Sequence, residues 1–173
     1  MRLDGDTWTQ FFDSFEREAF RLETLPVYQV EGEREAYARF LTTGDVDIPG
    51  SDSWFEQLRH YRETGRWIGR VHVIARPLTD YLRFEFAFQL HSVQAGEDIR
   101  ILDLTDRPNP GLPAQDYWMF DESKVVRMDY GPDGTQIGRE LLEGVDPTPY
   151  VAWKRLAMEE AEPLSEFYAK LNG

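Results

Sequence analysis

The chain has no cysteine. That one absence removes disulfides, thiolate nucleophiles and Cys-based zinc or iron–sulfur sites together. Histidine is scarce too. His60, His72 and His91 do not stand at ligand spacing on a shared element, so neither a metal site nor any other cofactor is expected. No apolar run approaches the roughly eighteen residues of a membrane span. The opening MRLDGDTWTQ has neither the basic segment nor the apolar core of a signal peptide. A cytoplasmic protein with no membrane contact is the expectation.

Catalytic signatures are missing as well. The glycines of GRWIG and GPDG lack the spacing and the strand-to-helix setting of a phosphate-binding loop. A GxSxG nucleophile elbow is absent, and Ser123 and Ser165 have no histidine near them in sequence. No catalytic residue can be assigned, and whether the protein is an enzyme stays open. Positive charge is in short supply, with Lys+Arg 19 against Asp+Glu 32 and a formal net charge of -13. Such a field repels phosphate backbones at long range, so direct nucleic-acid binding is not expected. It suits a basic protein partner, and equally it suits plain solubility.

What is present is a core-forming composition: 173 residues, 41% apolar and 14% aromatic, enough for one domain over residues 1–173. The stretch Gly65–Asp103 organises it. Trp67, Gly69, Val71, Val73 and Ala75 alternate with Ile68, Arg70, His72, Ile74 and Arg76, the pattern of a strand. After Pro77 the period becomes helical, with Leu78, Tyr81, Leu82, Glu85, Phe86 and Gln89 on one side and Thr79 or Asp80 as cap. Ala95-Gly96 ends that helix and Ile99–Leu104 is extended again, which makes a β-α-β unit.

Before this unit, a helix is expected from Asp6 or Thr7 with a stripe of Trp8, Phe11, Phe12, Phe15, Ala19 and Leu22, broadened by Phe20. Val27–Val30 reads as a short edge strand, Glu33–Leu41 as a helix closed near Gly44, and Gly44–Gly50 as a loop. Ser51 or Ser53 should cap a further helix that carries Trp54, Leu58 and Tyr61 and ends at Gly65. After it, TDRPNPGLP is a turn-rich loop. Asp116–Phe120, Lys124–Tyr130 and Thr135–Leu142 form a meander with its turn at Gly131-Pro132-Asp133-Gly134. Asp146-Pro147 opens a terminal helical region that Pro163 should kink or divide. The expected fold is α+β: one domain with a mixed five- or six-stranded sheet, the central β-α-β unit, a C-terminal-half meander and flanking helices.

Candidate binding residues cluster on the unit. Glu85 lies on an apolar helix stripe and needs a partner, which Arg70, Arg76 or Arg100 could supply. Glu97 and Asp98 sit just before the second strand, where ligand loops of open sheets lie. Arg70, His72, Arg76, Arg83 and Arg100 could line a small anion pocket, or simply cover the sheet and pair with acids. In the run Tyr117-Trp118-Met119-Phe120, alternation covers both faces. On a central strand these residues are core, and on an edge strand Tyr117, Trp118 and Phe120 would form an interface.

The runs RVHVIARPLTDYLRFEF, AGEDIRILD and LPAQDYWMFDESKVVRMDYGPDG resemble the DUF6879 family, uncharacterised proteins common in actinobacteria. FRLETLPVYQV and AWKRLAMEEAEPLSEF match it as well, so the likeness covers nearly the whole chain. Asp116, Tyr117, Trp118, Phe120 and Asp121 fall in one recognisable run, and Gly96, Glu97, Asp98, Ile99 and Arg100 in another. The resemblance implies genes often found beside helix-turn-helix regulators. The back half, from Trp118 through the terminal helix, is similar to the C-terminal non-DNA-binding domain of such regulators.

Charge, the missing catalytic constellation and the resemblance together favour a non-enzymatic accessory or regulatory protein that binds another protein, such as a helix-turn-helix DNA-binding regulator. The alternative is a small-molecule or nucleotide-binding module, conceivably an enzyme, with an Arg/Glu/Asp-lined pocket beside the sheet. A structural homodimer would place Trp118 or the terminal helix in a symmetric interface.

Overall fold

The computed structural model describes residues 1–47 and 52–172. A single mixed sheet forms the centre of the fold. Its strands are β1 (Glu18–Glu23), β2 (Trp67–Ile74), β3 (Asp98–Asp103), β4 (Tyr117–Phe120), β5 (Lys124–Tyr130), β6 (Gln136–Leu141) and the two-residue β7 (Glu162–Pro163). They lie in the order β6-β5-β4-β1-β2-β3-β7. The sheet therefore has seven strands, where five or six were expected. The extra ones are β1, hidden in the expected first helix, and the short β7.

The β-α-β unit forms as expected. Strands β2 and β3 pair in parallel, Arg70 opposite Ile99 and His72 opposite Ile101. Between them runs α4 (Asp80–Ala95). Thr79 caps it by accepting from the Leu82 N–H at 3.1 Å, and Gly96 closes it. Beyond β4, the sheet is an antiparallel meander of β4, β5 and β6. Gly134 in its turn has φ of +86°, and a Cβ there would stand 2.3 Å from the Val27 carbonyl oxygen. Only glycine lets the incoming chain press so close. Residues 27–30 rest on that turn through a single bridge, Gln29 to Thr135, and do not form the expected edge strand.

The largest departure from the sequence pattern is at the N-terminus. Helix α1 covers only Gly5–Asp13, and Ala19, Phe20 and Leu22 belong to β1, in the middle of the sheet between β4 and β2. A distant residue enforces the break. The Asp121 carboxylate, in the turn after β4, accepts the N–H groups of Glu16, Arg17 and Glu18 at 2.9, 2.7 and 3.0 Å. Donors that would have continued the helix are thereby taken.

Helices α2 (Arg34–Thr43), α3 (Ser53–Glu63), α5 (Thr148–Glu160) and α6 (Leu164–Leu171) complete the fold. Gly44 closes α2 in the left-handed conformation, as expected. Asp52, not Ser53, is the cap of α3, and Ser51 lies outside the described residues, as do residues 48–50 of the Gly44–Gly50 segment. The Pro163 region divides the terminal helices and contributes β7 to the sheet edge beside β3. On one sheet face, α5 covers Phe20, Leu22, Val71, Leu102 and Met119. The other face is covered in two halves. Helices α1 and α3 pack with Ala19, Ile68, Trp118 and Phe120, while α4 and α6 pack with Ile74, Ile99 and Ile101.

Candidate functional site

Between those two apolar halves the sheet carries charge. Register places Arg21 beside Arg70 and Glu23 beside His72, so period-two alternation aims all four side chains at the same face. Arg21 is 5% exposed, Glu23 6% and His72 0%. Buried charges on a sheet floor are costly unless paired, and here each has partners. Arg70 donates from Nη1 to Glu23 Oε1 at 3.1 Å and from Nε to Glu97 Oε2 at 2.6 Å. Arg21 Nη2 donates to Asp116 Oδ2 at 3.1 Å and to the Tyr130 hydroxyl at 2.8 Å. Asp116 also accepts from the Tyr28 hydroxyl at 2.5 Å and from Thr24 N and Oγ1 at 2.9 and 2.7 Å. His72 Nε2 donates to the Leu25 carbonyl at 2.7 Å, and its Nδ1 has no hydrogen-bond partner. Both guanidiniums lie 5.8 Å from the Trp118 ring centre.

A second layer stands over this floor. Tyr81 of α4 donates to Glu85 Oε2 at 3.1 Å, and the same hydroxyl lies 3.3 Å from Glu33 Oε2. Gln89 Nε2 donates to Glu85 Oε1 at 3.0 Å. The spacing Tyr81, Glu85, Gln89 is one face of a helix at i, i+4, i+8. Glu33 arrives from the turn before α2 and meets Glu85 at the Tyr81 hydroxyl they share.

The electrostatics separate these acids. Burial opposes ionisation of Glu23, but Arg70, His72 and Arg21 outweigh it and hold the carboxyl down at about 2. Burial pushes Glu85 well above the carboxylate range, and Glu33 and Glu23 add to the push. Glu33 is raised by burial, against a lowering hydrogen bond from Glu85. Both acids are therefore driven toward the protonated form, Glu85 the more strongly. Glu97 is raised by burial, with Arg70 pulling the other way. One fold thus holds an ionised Glu23 and a protonated Glu85 within one charge network.

Above the floor opens a pocket of about 740 Å³, lined by Arg21, Glu23, Arg70, Tyr28, Tyr81 and Glu85 among others. Glu33, Arg70 and Glu85 also border a recess of about 270 Å³ that reaches Gln89 and Glu97. On the other side, Arg21 and Tyr130 border an aromatic hollow of about 380 Å³ with Trp8, Phe12, Trp54 and Trp118.

A family model described as "Domain of unknown function (DUF6879)" matches residues 6–169. The chain belongs to the DUF6879 family. No curated protein matches it.

Of the seven binding candidates in this DUF6879 chain, Arg70, Glu85 and Glu97 border the pockets and His72 lies beneath them. Glu85 takes Tyr81 and Gln89 as partners, in place of the expected arginine ion pair. Asp98 and Arg100 leave the group. They stand opposite Gly69 and Val71, on the α5 face, and pair with each other, and Arg100 also donates to the Met158 carbonyl. Arg76, at the strand end, pairs with Asp103 and Asp106 in solvent, and Arg83 is exposed. Tyr117, Trp118 and Phe120 are 1%, 6% and 2% exposed on β4, which is flanked by β1 and β5. The interface reading required an edge strand, and β4 is not one.

Arg21, Glu23, Tyr28, Glu33, Asp116 and Tyr130 are site members that no sequence argument singled out for binding. Arg21 and Glu23 were legible in principle, because EAFRLE also alternates with period two, but the helical reading of that stretch concealed them. Among the described residues, no three His, Asp or Glu side chains are grouped to hold a metal ion, and no helix is long and apolar enough to cross a membrane.

Proposed function

We propose that the protein is a small-molecule-binding module whose ligand sits on the Arg21/Glu23/Arg70 floor. The observation that carries this reading is a paired ionic floor at the centre of the sheet, left open to a cavity of about 740 Å³. Apolar residues would stabilise that position at least as well, and the volume falls in the range of roughly 300–1,000 Å³ typical of small-molecule sites. Both charge signs and three tyrosine hydroxyls face the space, so the fitting ligand is polar and carries donors and acceptors together. Native mass spectrometry of the protein purified without refolding tests this. The expected result is one low-mass ligand retained by the wild type and lost in Arg70→Gln. If the wild type carries none, and no compound in a panel of polar metabolites raises its Tm, the reading fails.

The formal net charge of -13 favours a second reading, an accessory protein that binds a basic helix-turn-helix regulator in actinobacteria. Repeated co-purification of one DNA-binding protein supports it. A clean monomer under the same conditions counts against it.

A further inference from the structure

The recess behind the main pocket has a marked imbalance of donors and acceptors. Glu97 is 3% exposed and Gln89 2% exposed, and in each the Oε1 atom has no hydrogen-bond partner. Both residues line the recess. Unpaired buried acceptors are costly and rare, and two bordering one space call for a ligand that brings N–H groups. Several donors nearby are already engaged elsewhere. Arg70 gives Nε to Glu97 and Nη1 to Glu23, and Tyr81 gives its hydroxyl to Glu85.

Charge points the same way. Facing the recess are Glu33 from the turn before α2, Glu85 from α4, Glu97 ahead of β3 and Asp52 ahead of α3, against the single cation Arg70 from β2. Glu23 lies one step further on β1, bound to that same arginine. Asp52 uses Oδ1 as the cap of α3. No three of these carboxylates are grouped for a metal ion, whereas a planar or tetrahedral nitrogen cation can spread its donors over separated acceptors.

We propose that this recess is the subsite for an organic cation rich in N–H donors, a guanidinium or primary ammonium group, carried by the small molecule of the main pocket. Its N–H groups satisfy Glu97 Oε1 and Gln89 Oε1, and its charge, set among Glu33, Glu85 and Glu97, draws a proton off Glu85, which burial holds toward the protonated form. Binding is therefore accompanied by proton release, and affinity falls as pH falls, by up to about tenfold per unit while one proton is coupled. This rests on the small-molecule reading above but is separable from it.

The test is isothermal titration of the intact protein with agmatine at pH 7 in two buffers of different ionisation enthalpy, with tetramethylammonium as a cation that has no N–H. Agmatine should bind with proton release, and tetramethylammonium at least tenfold more weakly. Glu85→Gln should abolish the proton release, and Glu97→Gln should weaken agmatine at least tenfold. Equal binding of the two cations, or agmatine binding without proton release by the wild type, overturns the proposal with no reliance on any variant. No agmatine binding overturns it as well. If native mass spectrometry then finds a retained ligand with no amino or guanidino group, the cation subsite falls and the small-molecule reading stands. If nothing binds, both fall.

Discussion

Phe20, Leu22, Val71 and Met119 point toward α5 and pack with Ala157 in an apolar cluster. Their neighbours one residue along the same strands, Arg21, Glu23, Arg70 and Trp118, point the other way, with two guanidiniums over an aromatic ring and a carboxylate paired to one of them. The two faces share backbone hydrogen bonds and differ only in side-chain chemistry. The α5 face is apolar throughout, whereas the opposite face sets a paired ionic centre between two apolar clusters. Paired charges can occupy the centre of a sheet when apolar packing beside them and on the other face holds the strands together.

The comparison can be broken from either side. Phe20→Ala should cost about 3–5 kcal/mol through lost burial and the cavity left behind. Arg70→Ala should cost a similar amount for a different reason, leaving Glu23 and Glu97 buried without their cation. Denaturant unfolding measures both. The two should part when Arg70→Ala is combined with Glu23→Leu and Glu97→Leu. That triple change should recover most of the loss and leave the pocket unable to bind, whereas nothing on the polar face rescues Phe20→Ala. A triple variant as unstable as Arg70→Ala alone would contradict this division of labour.

Acid should come next. Glu23 is held at about 2, against an ordinary 4.5, so its stabilisation is fully present above 4.5 and is lost as pH falls toward 2. By linkage that is about 3 kcal/mol, visible as a steep drop in stability over that window that Glu23→Gln flattens. Glu85 works in the opposite direction. Its carboxyl is raised, so the folded state loses stability as pH climbs from the ordinary carboxylate value toward the folded one. Glu85→Gln removes the ionisation and keeps an acceptor for Gln89 Nε2, so its change in Tm should be more favourable at pH 7 than near pH 4. The smallest effect belongs to the residues that left the site. Asp98 and Arg100 form a pair about one-third exposed, and Asp98→Asn should change stability by less than about 1 kcal/mol with no change in ligand binding.

Much of this architecture is legible without coordinates. The β2-α4-β3 unit announces itself by a change of period at Pro77, and the meander by two tight turns between alternating runs. β1 does not, because Phe15, Ala19 and Leu22 satisfy a helical stripe as well as Ala19, Arg21 and Glu23 satisfy a strand face. The tie is broken by Asp121, more than a hundred positions along the chain, which takes the backbone donors of residues 16–18. The site suffered from the same ambiguity. Arg70, Glu85 and Glu97 stand out in the sequence as charges within apolar surroundings. Arg21, Glu23 and Asp116 join them only once β1 is laid between β2 and β4.

By itself the sequence determined the local pieces: caps, turns, the periods of most elements, and the exclusion of cysteine chemistry and of long apolar spans. Those follow from interactions between near neighbours, which the order of residues states directly. The tertiary structure alone decided which acids share a space. Glu33, Glu85 and Glu97 come from three separate elements, and whether each is ionised depends on burial and on the arginine the sheet register sets beside it. Desolvation and charge coupling act through distances in space, and only the folded chain sets those.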